Sequence, residues 1–478
     1  MCNLMSAAAT AGVNRSTRLR AIKAECISAQ LAGLLLVSAT FFLIRLNSKS
    51  IIEPIVAALV VAFNPIAYAA SFTFMTDILF SALMTISTLL YIASLKRGSV
   101  LLAVVGTIVA LAATLSRQLG LCLPIAYLIV RLLPPSNRVR KSALCSIPLL
   151  VCAASLLLCY GWLRATGGVV ILKSPLRTLG AIYYNLITVP LYLGLFSVPV
   201  LLLTTRPTVV TRVQSSVRWI PFVTALAAVV LALIGMIGEH RIMPFGRNVL
   251  IPQGIGPLTL RDTYILQLDN VPSLPPLFWI AVTVLSLWGM FELTGRFVTY
   301  AINTIFTRRQ FEPRELGALF TGTAILAYFT PLMLVSMYDR YFIPVLPLTL
   351  LFLVSISAAR PVRRYRAVTA TILCVLTAIF AVLGAHDYMA WNRARWTAIT
   401  DLQKAGIAGP ANLDGGFEFN GLFSYDRYVQ SADKSWWWVN KDDYQITFGP
   451  IEGLKIIKQY AYETWLPPAK RFILVLSK

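Results

Sequence analysis

An acidic side chain lies at the start of a long apolar run in residues 71–80, SFTFMTDILF. Thr76 and Asp77 precede the run, where a hydroxyl can cap a helix and a carboxylate is favoured by the helix dipole. An ionisable residue at the edge of a membrane span is costly unless it has a function or a partner. Asp77 is therefore our candidate catalytic residue, and a first-turn helix acid with no other role is the alternative.

Two arginines, Arg117 in LSRQLG and Arg340 in MYDRYF, each lie in a connection of only a few residues between apolar runs. Such a connection holds the arginine near the mouth of a helix bundle. A guanidinium can bind phosphate oxygens in a bidentate way. We therefore predict that Arg117, Arg340 and the neighbouring Asp339 and Tyr341 bind substrate. The alternative is an arginine whose charged group extends to the lipid headgroups.

His240 and Arg241 follow Glu239 in a long connection between two apolar runs. His240 could act as a metal ligand or a general base, and Arg241 could bind an anion. We include both as candidate substrate-binding residues. A single histidine with no second one nearby is also common in an ordinary loop, so that interpretation stays open.

Composition restricts the class of protein. Of the 478 residues, 57% are hydrophobic and 13% are charged, and the mean hydropathy is +0.72. The net charge of +22 comes mainly from short basic loops between apolar runs, as the positive-inside rule expects, rather than from a nucleic-acid-binding face. Phosphate-binding loops, GxSxG elbows and HExxH helices do not occur in the sequence. These features predict an integral membrane protein.

The apolar runs predict an all-α polytopic architecture with about twelve transmembrane helices. They lie near 27–46, 51–68, 78–95, 99–115, 119–133, 143–163, 178–204, 219–237, 276–296, 316–336, 341–358 and 367–386. Since the basic loops are expected in the cytoplasm, Asp77, Arg117, His240 and Arg340 are expected on the outer side. Residues 389–478 are predicted to form a small extracytoplasmic α/β domain, with RFILVLSK as its last strand.

The segments AFNPIAYAASFTFMTDILF, ATLSRQLGL and MYDRYFIPVLPL, with LDGGFEFNGLF near the C-terminus, resemble GT-C membrane glycosyltransferases. The resemblance is closest to bacterial protein O-mannosyltransferase and aminoarabinose transferase relatives, and covers most of the chain. It implies an enzyme of the inner or plasma membrane that takes a sugar from a polyprenyl-phosphate donor. The sugar passes, with inversion, to a glycan, lipid or protein acceptor. Asp77 matches the family's second outer-loop acid, and a divalent metal is a further possibility of the resemblance.

The family's first helix and first outer loop, which carries the usual catalytic base, have no counterpart in this sequence. Residues 1–26 then correspond to an amphipathic outer-surface segment and 27–388 to the transmembrane domain. This arrangement accounts for an outer N-terminus rich in Arg15, Arg18 and Arg20. It also leaves two alternatives open, a non-catalytic relative and a transporter of lipids or solutes. The proposed partners are the lipid-linked donor, membrane lipids and the acceptor, and nucleic acid is not among them.

Overall fold

The computed structural model describes residues 15–73, 75–133, 139–166, 178–207, 215–246, 248–306, 313–358, 362–424, 438–439 and 441–478. The helices of the first half are α1 Arg15–Arg45, α2 Ile52–Ala62, α3 Pro65–Ser71, α4 Thr76–Arg97, α5 Val100–Ser116, α6 Cys122–Leu132, α7 Val139–Ala165 and α8 Leu179–Leu203. Those of the second half are α9 Ile220–Gly238, α10 Arg261–Tyr264, α11 Pro276–Phe306, α12 Pro313–Leu332, α13 Leu346–Ile356, α14 Arg364–Lys404 and α15 Phe417–Ser424. Within these described ranges, three 3₁₀ segments lie at Gln118–Leu121, Ser215–Trp219 and Asp339–Val345.

Each of the twelve predicted apolar runs contains a helix. Among the described residues, eight helices are long and apolar enough to cross a membrane, or nine if α2 and α3, bent by 60°, form one span. Two further apolar helices, Val100–Ser116 and Gln118–Leu132, are shorter. The multi-pass helical architecture is therefore as predicted, whereas the count of twelve spans is not confirmed, because several runs give short or broken helices.

The chain divides into two compact units. The membrane unit comprises Glu25–Gly246 and Leu277–Ile379, and the C-terminal unit includes Phe380–Lys478 with residues 248–276 and 15–24. Helix α1 runs without a break through residue 26, and α14 runs without a break through residue 388. The sequence predicts domain boundaries after residues 26 and 388, and these boundaries stay predictions.

The membrane unit has two chemically distinct ends, separated by the length of α4. This helix begins beside Asp77 and ends at Lys96 and Arg97, where Gly98 takes a left-handed φ of 67°. At that second end Lys96 Nζ donates to Asn47 Oδ1, and Asn47 Nδ2 donates to Ser355 Oγ at 2.5 Å. Because the residues come from predicted cytoplasmic loops, we call this the basic end of the membrane unit.

The C-terminal unit contains a four-stranded sheet in the order β3 (Leu413–Asp414), β4 (Tyr444–Thr447), β6 (Pro468–Ser477) and β5 (Lys455–Trp465). Strands β3 and β4 are parallel, and β6 pairs antiparallel with both β4 and β5. A separate hairpin joins β1 (Leu250–Ile251) to β2 (Gly254–Ile255). The predicted final strand RFILVLSK is part of β6. The segment NLDGGFEFNG gives only the two-residue strand β3, and α15 starts at its Phe417.

Candidate functional site

Asp77 lies in the first turn of α4 and forms an ion pair with Arg117. Its Oδ2 is 2.8 Å from Arg117 Nη2, and the Asp77 side chain is 1% exposed while that of Arg117 is 21% exposed. The same Arg117 nitrogen donates to Thr76 Oγ1 at 3.3 Å. The helix N-terminus adds a favourable dipole to the carboxylate, so Asp77 is held by a helix end and a guanidinium together.

Arg117 reaches Asp77 because the chain leaves α5 in an extended conformation. Arg117 follows the last residue of α5 with φ −150° and ψ 128°, and a 3₁₀ turn begins at Gln118. If α5 had continued, Arg117 would have been one more residue of that helix, with helical backbone angles. The short connection therefore turns its side chain towards the start of α4.

The Asn-Pro motif near Asp77 has a structural explanation. Asn64 caps α3, since its Oδ1 accepts from the backbone N–H groups of Ile66 and Ala67 at 3.1 Å each. Pro65 occupies the first position of that helix, where no hydrogen-bond donor is required. This motif bends the chain by 60° between α2 and α3 and so shapes the segment that leads to Asp77.

The 3₁₀ segment Asp339–Val345 brings Arg340 and Tyr341 to the same end of the membrane unit. The Arg117 guanidinium lies 5.9 Å from the centre of the Tyr341 ring. Arg340 Nη1 lies 3.7 Å from Met75 Sδ, two residues before Asp77, and its guanidinium is 5.4 Å from the Tyr338 ring. We call Asp77, Arg117, Arg340 and Tyr341 the Asp77 cluster.

Asp339 adjoins the Asp77 cluster but is enclosed, with 0% of its side chain exposed. A methyl group placed on Gly246 would be 3.1 Å from Asp339 Cβ, so the backbone at Gly246 packs directly against it. The Gly246 N–H donates to the hydroxyl of Tyr192 at 2.8 Å, and Tyr192 stacks on Phe342 at 4.9 Å. Asp339 thus lies at the buried start of the 3₁₀ segment, packed against the backbone of Gly246.

His240 and Arg241 lie in the turn after α9. His240 is exposed and has a φ of 49°, and Arg241 pairs with Glu239 at 3.2 Å. Within the described residues, neither makes a hydrogen bond or an ion pair with the Asp77 cluster. The structure therefore brings together three outer-loop segments of the prediction, around Asp77, Arg117 and Arg340, but not this one.

The charges of the Asp77 cluster do not balance. The cluster contains two guanidinium groups and one carboxylate, which pairs with Arg117, and Arg340 has no acidic partner among the residues that the structure describes. Asp77 Oδ1 and Arg340 Nε are buried and have no hydrogen-bond partner in the described part of the chain. In the same part of the chain, no three His, Cys, Asp or Glu side chains are close enough to hold a metal ion. The cluster is suited to binding an anion.

A second charged cluster, at the basic end, was missed from the sequence. Glu292 in α11 accepts from Arg206 Nε at 2.9 Å, 86 residues away, and from Arg296 Nη2 at 3.1 Å. Glu292 is 6% exposed and Arg296 is 5% exposed. The sequence did contain an indication, because Glu292 and Arg296 are four residues apart inside a predicted span, where ionisable groups are rare.

No protein-family model, curated protein or solved structure matches this chain.

Proposed function

We propose that this protein is a membrane glycosyltransferase that moves a sugar from a polyprenyl-phosphate donor to an extracytoplasmic acceptor with inversion. The observation that carries the proposal is the Asp77 cluster. It places Arg340, which has no acidic partner among the described residues, at the same end of an apolar helical unit as the Asp77–Arg117 pair. A lipid-linked donor reaches such a site through the bilayer, so a nucleotide-binding fold is not required.

In this proposal Arg117 and Arg340 bind the donor phosphate. During transfer the bond between the sugar's anomeric carbon and the phosphate oxygen breaks, and the phosphate keeps the electron pair. The acceptor oxygen forms the new bond from the opposite face, and its proton passes to water or to an oxygen of the departing phosphate. Preorganised guanidinium groups stabilise the charge that grows on the leaving phosphate.

Asp77 is assigned a positioning role. Its carboxylate is 1% exposed and is bonded to Arg117, whose own side chain is 21% exposed. The arginine is thus the member of the pair that a ligand can reach. This assignment differs from the sequence-based prediction of Asp77 as the catalytic residue, and it makes Asp77 act through Arg117.

The first experiment measures binding of a polyprenyl monophosphate to the detergent-solubilised chain by native mass spectrometry. Arg340→Gln should weaken binding about tenfold or more, because it removes a charged hydrogen-bond donor. Arg164→Gln is the matched control, since Arg164 is an exposed arginine in the last turn of α7. Equal losses in the two variants, or no loss in Arg340→Gln, would contradict the proposed phosphate site.

The second experiment measures transfer. The chain is reconstituted in vesicles with a panel of radiolabelled polyprenyl-phosphate hexoses and pentoses, and label is followed into glycan, lipid and protein fractions. Transfer that depends on Arg117 and Arg340 is the expected result. Binding of the monophosphate without transfer of any sugar would favour the non-catalytic alternative, and export of an unmodified lipid would favour the transporter.

A further inference from the structure

A cavity of about 550 Å³ lies at the basic end of the membrane unit, between the end of α8, the middle of α11 and the first turns of α14. Its volume is within the range of small-molecule sites. The lining residues that could contact a ligand through polar groups include Thr204, Thr205, Arg206, Glu292, Arg296 and Arg366.

The cavity belongs to a different end of the unit from the Asp77 cluster. Its Thr205 backbone N–H donates to Ser357 Oγ at 2.9 Å, just beyond the end of α13. Two residues earlier, Ser355 binds Asn47, which in turn binds Lys96. These contacts connect the cavity with the basic end, whereas α4 extends from that end to Asp77.

The lining carries three arginines and one acid, a net charge of +2. The Glu292 carboxylate accepts hydrogen bonds from both Arg206 and Arg296. Arg296 Nη1 also donates to Thr204 Oγ1 at 2.6 Å. Arg366 contributes a charge that Glu292 does not contact, and its Nε donates to Tyr365 Oη at 3.2 Å. The buried Glu292 thus holds two arginines in place and leaves the cavity positive.

A neighbouring apolar groove indicates what kind of anion fits. This second cavity, of about 210 Å³, shares Arg206, Glu292 and Arg296, and Arg218 adds another cation to its lining. Its apolar wall lies between α9 and α11, along Pro221, Phe222, Ala225 and Phe291. Phe222 is 50% exposed although it lies next to the charged groups. A positive cavity that continues into an apolar groove is complementary to a ligand with a charged head and a hydrocarbon chain.

We infer that this cavity binds the phosphate group of an anionic membrane lipid, with Arg206 and Arg366 at the phosphate and the acyl chain along Phe222. Basic pockets between helices on the cytoplasmic side of a membrane are suited to acidic headgroups. The site is separate from the proposed donor site, so either can fail without the other.

The test uses the full chain in nanodiscs of phosphatidylcholine with and without phosphatidylglycerol. Native mass spectrometry after mild delipidation counts retained phosphatidylglycerol, and thermal unfolding reports stabilisation by that lipid. The wild-type chain should retain phosphatidylglycerol in preference to phosphatidylcholine. Arg366→Gln should reduce the affinity about tenfold or more.

Arg366→Gln is the main variant because Arg366 makes no contact with the buried Glu292, so the fold should persist. Arg97→Gln is the matched control, since Arg97 is an exposed arginine in the last turn of α4 at the same basic end. Thermal unfolding is also measured with inorganic phosphate and with glycerol 3-phosphate. These additions show whether the site prefers a soluble anion or a lipid. Stabilisation by these soluble anions without a preference for phosphatidylglycerol would overturn the inference, as would equal lipid retention by Arg366→Gln and the wild type.

Discussion

Replacing Asp77 by Asn and Arg117 by Gln, singly and together, measures the free energy that couples these two side chains. Asp77→Asn keeps the size of the side chain, whereas Arg117→Gln shortens it, and each replacement removes one charge. Asp77→Asn leaves the Arg117 guanidinium without its carboxylate, and Arg117→Gln leaves a carboxylate that is 1% exposed without its cation. In the double variant neither charge is present, so the two losses should not add.

The expected coupling is about 2 kcal/mol. A hydrogen bond to a charged group contributes about 1.5–3 kcal/mol, and breaking a fully buried ion pair costs about 3–5 kcal/mol. Arg117 keeps 21% of its side chain exposed, so water compensates part of the loss when Asp77 is neutralised. The lower of the two ranges therefore applies.

The free energy of unfolding is measured in mixed micelles with a denaturing detergent, for the wild type, both single variants and the double variant. A coupling below about 0.5 kcal/mol would refute the pairing, because unrelated sites add to within that margin. Affinity for a polyprenyl monophosphate separates positioning from simple electrostatics. If only charge mattered, Asp77→Asn would strengthen phosphate binding, because it removes a negative charge. If Asp77 positions Arg117, as we propose, Asp77→Asn should weaken binding and Asp77→Glu should restore it.

Two further predictions concern packing and pH. Gly289→Ala should lower the unfolding temperature, because its methyl group would collide with the backbone of Gly194. The expected loss in the free energy of unfolding is about 1–3 kcal/mol. Gly161→Ala is the control, since a methyl group there meets open space. Burial raises the pKa of Asp262 above its ordinary value of 3.8, although Asn270 and three backbone N–H groups, of Phe448, Gly449 and Thr263, donate to it. Between the pKa of Asp262 in the unfolded chain and its higher pKa in the folded chain, the folded state binds more protons than the unfolded state. Stability should therefore fall as the pH rises through this window. Between pH 4 and pH 8, the unfolding temperature of Asp262→Asn should fall less steeply with rising pH than that of the wild type. The same slope in both proteins would contradict this account.

The helical content was predictable because a chain buried in lipid must satisfy its backbone hydrogen bonds within each segment. All twelve apolar runs accordingly contain helices. The number that can span was not predictable, since it depends on breaks such as the one at Asn64, where a side-chain cap starts a new helix at 60° to the last. The type of secondary structure in LDGGFEFNG was likewise not predictable, since α15 replaces most of the expected strand and turn. Asn420 of α15 donates to Asp414 of β3 at 2.8 Å, a contact that holds the two short elements together.

The sequence by itself determined which residues are unusual for a membrane protein and at which side of the apolar runs they lie. Asp77, Arg117 and Arg340 were all recognised in this way, because a charge beside a span is costly and short connections are easy to read. Tertiary structure alone decided their partners. Whether Arg117 bonds to Asp77 depends on how α5 ends and how it packs on α4. Likewise, the pairing of Arg206 with Glu292 across 86 residues results from the packing of α8 against α11. Hydropathy and charge are properties of single positions, whereas an ion pair depends on the distance between two, and only the folded chain sets that distance.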